Sequence, residues 1–199
     1  MKFYYLALLL WQPYLISGDY LCHSMTTDEE MSAASVLYLS ACEKNHTGSQ
    51  LALERSRFSE EKRSWNFRGT GSRSRFVKMA ANCGLLSNHM AGYASFAPVE
   101  SGKVLCRMLV VQPYLKYRSS FSKLARSIFS IAPEVETVYL KVPSQQGIIT
   151  YYSDLLKAKP CTPPEALLQK LLRAQYVPTI VPFAPSQPGI AFLEFHRKK

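Results

Sequence analysis

The chain has 199 residues, 47% of them hydrophobic and 12% aromatic, which excludes a disordered polypeptide and suits one domain with a real core. Its 24 Lys and Arg exceed its 14 Asp and Glu by ten. That balance favours anionic partners: nucleotides, nucleic acid, heparin-like glycans or acidic proteins.

The opening "MKFYYLALLLWQPYLISGDY" places Lys2 before an uncharged apolar run, then the small residues Ser17 and Gly18. It reads as a secretory signal peptide over residues 1–18, leaving 19–199 as a single domain. No later run reaches the ~20 apolar residues of a membrane helix. The end, "FLEFHRKK", is charged rather than apolar, unlike a lipid-anchor signal. The expectation is a secreted, soluble protein without a membrane anchor. Five cysteines, Cys22, Cys42, Cys83, Cys106 and Cys161, follow the cleavage point, which leaves two bridges and one further thiol. None forms a C-x-x-C pair or lies in a zinc-type spacing with histidine, so no metal is expected. Asn45-His46-Thr47 is an N-glycosylation sequon.

In "TTDEEMSAASVLYLSACEK" the pattern predicts a helix over 27–44, with Thr27 and Glu30 as a capping box and acids in the first turn. Met31, Ser35, Tyr38 and Cys42 share one face. "QLALERSRFSEEKR" predicts a second, more polar helix over 50–63. From Trp65 the character changes. "WNFRGTG" reads as a strand running into a glycine loop, "KMAANCGLL" as a short helix, and "GKVLCRMLVVQPYL" as a central strand. "SSFSKLARSIFS" fits either helix or strand. "ETVYLKVP" and "GIITYY" read as strands, and "TPPEALLQKLLRAQ" as a helix capped by Thr162. "YVPTIVPF" and "GIAFLEF" read as strands, the first pushed to an edge by its prolines. Helices first and strands later give an α+β fold.

Three elements then occur in order: the triplet "FRG", the strand-like "GYASF", and the two glutamates of "PEVETVYLKVP". Together with "FRGTGSRSRF" and "SIFSIAPEVETVYLKVPS", this set resembles the vertebrate-type ecto-ADP-ribosyltransferases, of the Arg-Ser-Glu class. The second motif departs from the family, which usually has two or three consecutive Ser/Thr where this chain has Ala94-Ser95-Phe96-Ala97.

The resemblance implies a helical N-terminal part followed by a two-sheet ADP-ribosyltransferase-like β core. It also implies an enzyme that cleaves NAD and transfers ADP-ribose to arginine side chains of target proteins, with NAD glycohydrolysis at the same site. Glu136 would then stabilise an oxocarbenium-like transition state, and Glu134 would orient and deprotonate the guanidinium. Arg68 would bind a phosphate or ribose oxygen, with Phe67 beside it, while Gly69 and Gly71 would let backbone approach the dinucleotide. Ser95 would hold Glu136 in its working rotamer. By the same resemblance Cys22 pairs with Cys161. NAD and an arginine-bearing protein are the implied partners of a monomer that needs no metal and no nucleic acid.

A rival reading comes from the charge. Arg55, Arg57, Lys62, Arg63, Arg73, Arg75 and Lys78 flank the first motif, and a catalytically inactive cationic binding protein for acidic glycans or proteins would need such a face. His23, His46, His89 and His196 have no partner at a revealing spacing, and no G-x-S-x-G elbow is present.

Overall fold

The computed structural model describes residues 20–43, 48–64, 75–81, 90–112, 117–173 and 189–198. Among them are seven strands: β1 (Tyr20–Ser24), β2 (Arg75–Ala81), β3 (Met90–Glu100), β4 (Lys103–Val111), β5 (Thr137–Pro143), β6 (Lys159–Cys161) and β7 (Ile190–His196). Six helices accompany them among the described residues: α1 (Asp28–Glu43), α2 (Gly48–Ser64), α3 (Tyr117–Arg126), α4 (Ile128–Ile131), α5 (Gln146–Leu156) and α6 (Glu165–Arg173).

The strands form one sheet in the order β1-β2-β3-β4-β5-β7-β6. Every neighbouring pair is antiparallel except β4 and β5. A parallel pair needs a crossover, and α3 and α4 supply it between β4 and β5. The β3–β4 hairpin closes through Ser101 and Gly102, with Glu100 opposite Lys103. Gly102 takes φ +68, which L side chains rarely adopt.

Helices cover both faces. Val77, Phe96, Cys106, Leu109, Val138 and Leu140 belong to a core that also takes in Phe121 and Leu124 of α3, Phe129 of α4 and Tyr152 of α5. On the other face, Met31 and Tyr38 of α1 and Phe58 of α2 pack with Phe76, Tyr93 and Met108. Leu167 of α6 packs separately with Val99, Leu105 and Tyr139. Each fully buried apolar side chain of this size contributes about 1.5–3 kcal/mol by leaving water.

Helix α1 starts where the capping box placed it. Glu30 N–H donates to Thr27 Oγ1 at 3.2 Å, and Thr27 N–H donates to Glu30 Oε2 at 3.1 Å. The same Glu30 pairs with Lys78 of β2, tying the helix start to the sheet. Inside, the Tyr38 hydroxyl donates to the buried Glu54 carboxylate, linking α1 to α2.

Four expectations are corrected here. The core is a single mixed sheet covered on both faces, not a helical part followed by two sheets. "GIITYY" is helical, within α5. Its β-branched residues favour a strand locally, yet Ile148, Ile149, Tyr152, Leu155 and Leu156 recur at helical spacing and pack on one core. Residues 78–81 of "KMAANCGLL" continue β2 instead of starting a helix. Finally, Cys22 and Cys161 are free thiols on β1 and β6, at opposite edges of the sheet. Six strand spacings separate those edges, about 25–30 Å, whereas a disulfide needs Cα atoms within about 7 Å. The signal segment, the sequon at Asn45 and "YVPTIVPF" lie outside the described residues.

Candidate functional site

Phe67, Arg68, Gly69 and Gly71 lie outside the described residues. Ser95 is fully buried in β3, level with Phe76 of β2 and Met108 of β4. Glu134 and Glu136 do not stand on a strand; both are exposed in the segment that enters β5. Glu134 Oε1 is paired with Arg75 Nη2 at 2.6 Å, both side chains being about half exposed. Glu136 N–H donates to the Gly102 carbonyl at 2.7 Å, and its own carbonyl accepts from Arg197 N–H at 3.0 Å.

These registers separate Ser95 from Glu136. Ser95 is level with Met108 and Glu136 with Gly102, six residues apart along β4 and therefore about 20 Å. Ser95 cannot set the rotamer of Glu136 across that span. What the "PEVET" segment does in the fold is structural. The Arg197 guanidinium donates to the carbonyls of Ala132, Pro133 and Val135, and Val135 is buried. With the backbone gathered inward in this way, the carboxylates are left in solvent.

A different feature has the geometry of a binding site. β4 and β5 pair over only four rungs, from Lys103↔Thr137 to Cys106↔Leu140. Both strands then run on, β4 to Val111 and β5 to Pro143, without hydrogen-bonding to each other. Beyond the last rung β4 is held by β3, through Leu109↔Ala94, Val110↔Tyr93 and Val111↔Gly92. β5 is held by β7, through Lys141↔Phe192, Val142↔Ala191 and Pro143↔Ile190. The centre of the sheet is thus a fork, open at the carboxyl ends of two parallel strands.

Local irregularity explains where the fork opens. The β3–β4 register slips between Ser95 and Phe96, whose partners are Met108 and Cys106, so Arg107 is the extra residue on β4. A bulge bends and twists the strand that carries it. Arg107 follows directly on Cys106, the last residue of β4 that pairs with β5. Gly92 allows the close packing behind the fork: a Cβ there would meet the Val110 carbonyl at 2.7 Å and Leu124 of α3 at 3.3 Å.

The chemistry of the fork follows from its backbone. Inward-facing N–H and C=O groups of both strands are donors and acceptors without a strand between them, able to pair with an extended ligand that carries amides. Helix α3 begins a few residues after β4 ends, and a helix start at the carboxyl ends of parallel strands favours an anion. Lys141 is the first residue of β5 beyond the last rung. It is half-buried, and burial alone lowers its pKa from 10.5 to about 8. At the paired end of the strands, Thr137 Oγ1 lies 3.1 Å from His196 Nδ1, and His196 Nε2 lies 3.4 Å from Glu194 Oε1. Among the described residues, no three His, Cys, Asp or Glu side chains are grouped to hold a metal.

Sequence reasoning missed the fork because it is a property of register. A weaker signal was present: a strand, a helical stretch and a second strand in succession, which is the pattern of a parallel unit.

No family model matches the chain, and no curated protein matches it. Solved structures do. The ribosomal-protein-S18-alanine N-acetyltransferase from Escherichia coli superposes with a TM-score of 0.55 at 13% identity, covering 89% of this chain and 94% of that one. PaiA N-acetyltransferase from Thermoplasma acidophilum, in complex with coenzyme A, gives 0.55 at 12% identity, covering 90% and 99%. An acetyltransferase of the GNAT family from Staphylococcus aureus Mu50 gives 0.51 at 9% identity, covering 90% and 100%.

These likenesses overturn the ADP-ribosyltransferase resemblance and what it carried: NAD as the substrate and arginine side chains as the acceptor. Short motifs in the right order had suggested that family, but their residues stand on a different scaffold. Ser95 is fixed in the core and the two glutamates precede a strand at its paired end. In its single mixed sheet of seven strands the chain has the GNAT acetyltransferase fold.

Proposed function

We propose that this protein is an N-acyltransferase that binds an acyl-CoA in the fork between β4 and β5 and passes the acyl group to an amine. The observation that carries this reading is the ending of the β4–β5 ladder at Cys106↔Leu140 while both strands continue. Support comes from the fold and from neighbours described as N-acetyltransferases, one of them in complex with coenzyme A.

The residues present fit such a ligand. Its pantetheine arm is extended and carries amides, which match the inward-facing backbone groups of Met108–Val111 and Lys141–Pro143. Its diphosphate suits the start of α3, which follows the carboxyl end of β4. When bound, the thioester supplies an activated acyl carbonyl. This chain's part is to align the donor along β4, to aim backbone N–H groups at the carbonyl oxygen, and to exclude water with the packed helices on either face.

The test is release of CoA thiol from acetyl-CoA by purified protein offered a panel of amines: polyamines, amino acids and peptides with a free N-terminus. Amine-dependent thiol release supports the reading. If no amine accelerates release although the protein binds acetyl-CoA, transfer to amines is wrong.

A further inference from the structure

We propose that Lys141 is an acyl-acceptor site of the protein itself, taking an acyl group from a CoA thioester held in the fork. This rests on the acyl-CoA reading and names a second fate for the acyl group.

Position comes first. Lys141 follows Leu140, the last residue of β5 that pairs with β4, so it flanks the apex of the fork. Its backbone is anchored by pairing with Phe192 of β7, which keeps the residue from drifting out of register. Its neighbours on β5, Leu140 and Val142, are buried in the core under α3 and α5, so alternation turns Lys141 to the opposite face, shared with Tyr139.

Environment comes second. Lysine is seldom held away from water without an anion. The other lysines with described charge partners show the usual solution: Lys78 pairs with Glu30, and Lys103 pairs with Glu100 at 2.5 Å. Among the described residues Lys141 has no carboxylate partner, and burial is the sole cause of its lowered pKa. A cation left in that state is easily neutralised, and a neutral amine is the nucleophilic form.

The step balances without a further reagent. The Nζ lone pair attacks the thioester carbonyl carbon, an N–C bond forms and the C–S bond breaks. Sulfur leaves as thiolate and takes up the proton lost from Nζ, giving an amide on Lys141 and free CoA. The product removes a half-buried charge, so it suits its surroundings better than the ammonium did.

The experiment incubates the full chain with acetyl-CoA near pH 7.5 and follows intact mass and peptide maps over time. The melting temperature with CoA is measured in parallel. Lys141 should gain an acetyl group roughly 10-fold or more faster than the exposed lysines, because more of it is neutral and the donor is held beside it. Excess CoA should suppress that site selectively, and Lys141→Arg should abolish it. If CoA raises the melting temperature but acetylation at Lys141 is no faster than at the surface, self-acylation is overturned and the acyl-CoA reading stands. If CoA causes no rise, both readings fall.

Discussion

Cys106 of β4 and Leu140 of β5 face each other as the last rung between two strands that both continue past it. Arg107, the residue after Cys106, is also the bulge in the β3–β4 ladder. Coincidence of the bulge with the end of pairing gives the fork a local cause, and it leaves strand edges in the middle of a sheet. Edges of that kind bind extended polar chains.

Lys141 should make stability depend on pH in a defined direction. Its folded pKa, about 8, lies below its ordinary 10.5, so between those values the unfolded chain binds more protons than the folded one. Stability from this group therefore rises with pH across that window, and below it the buried ammonium is a net cost. Cys161 acts the other way, because burial pushes its thiol up to about 11 and keeps the proton on in the folded state. Comparison with Lys141→Met isolates the lysine. In urea titrations the variant should gain most over the parent near pH 7, with the difference shrinking toward pH 10.

Gly92→Ala should destabilise the protein and disturb the fork at the same time. The added methyl would meet the Val110 carbonyl at 2.7 Å, a backbone atom that cannot swing aside. Overpacking of this kind costs about 1–3 kcal/mol. Chemical denaturation gives the loss, and CoA affinity should fall with it because the Val110 backbone belongs to the stretch of β4 that forms one side of the fork.

Lys157 ends α5 in a left-handed conformation, with φ 54 and ψ 38. A side chain pays for that geometry, and glycine does not. Lys157→Gly should add about 0.5–1 kcal/mol of stability, read as a rise in melting temperature. An unchanged or lower melting temperature would show that the lysine side chain contributes more than the strain costs.

Glu134→Gln and Glu136→Gln should leave fold and transfer activity nearly intact. The Glu134–Arg75 pair is about half exposed on both sides, and such pairs are worth about 0–1 kcal/mol. Melting temperatures and thiol-release rates of the two variants check this. Loss of activity in either, without loss of stability, would give the exposed carboxylates a chemical role after all.

Much of the fold could be read from local pattern. Thr27 and Glu30 announced α1, the β-branched run 103–111 announced a central strand, and "GIAFLEF" announced β7. α5 was misread because Ile148-Ile149-Thr150 prefers strands locally, while its helical stripe shows only when Leu155 and Leu156 are counted with it. The two glutamates misled for a related reason. Spacing of i and i+2 puts side chains on one face only in an extended strand, and β5 begins at Thr137, after both of them. The fork was invisible because no single segment encodes where a parallel ladder stops. That depends on the bulge at Arg107 and on which strands β3 and β7 hold outward.

Hydrogen exchange of the amides in Met108–Val111, with and without CoA, tests the central claim most directly. The β4–β5 ladder ends before this stretch, so bound CoA should slow the exchange of its inward-facing amides, together with amides at the start of α3, while NAD should change nothing. Unchanged exchange along β4 at CoA concentrations that saturate binding, or protection by NAD instead, would contradict the account.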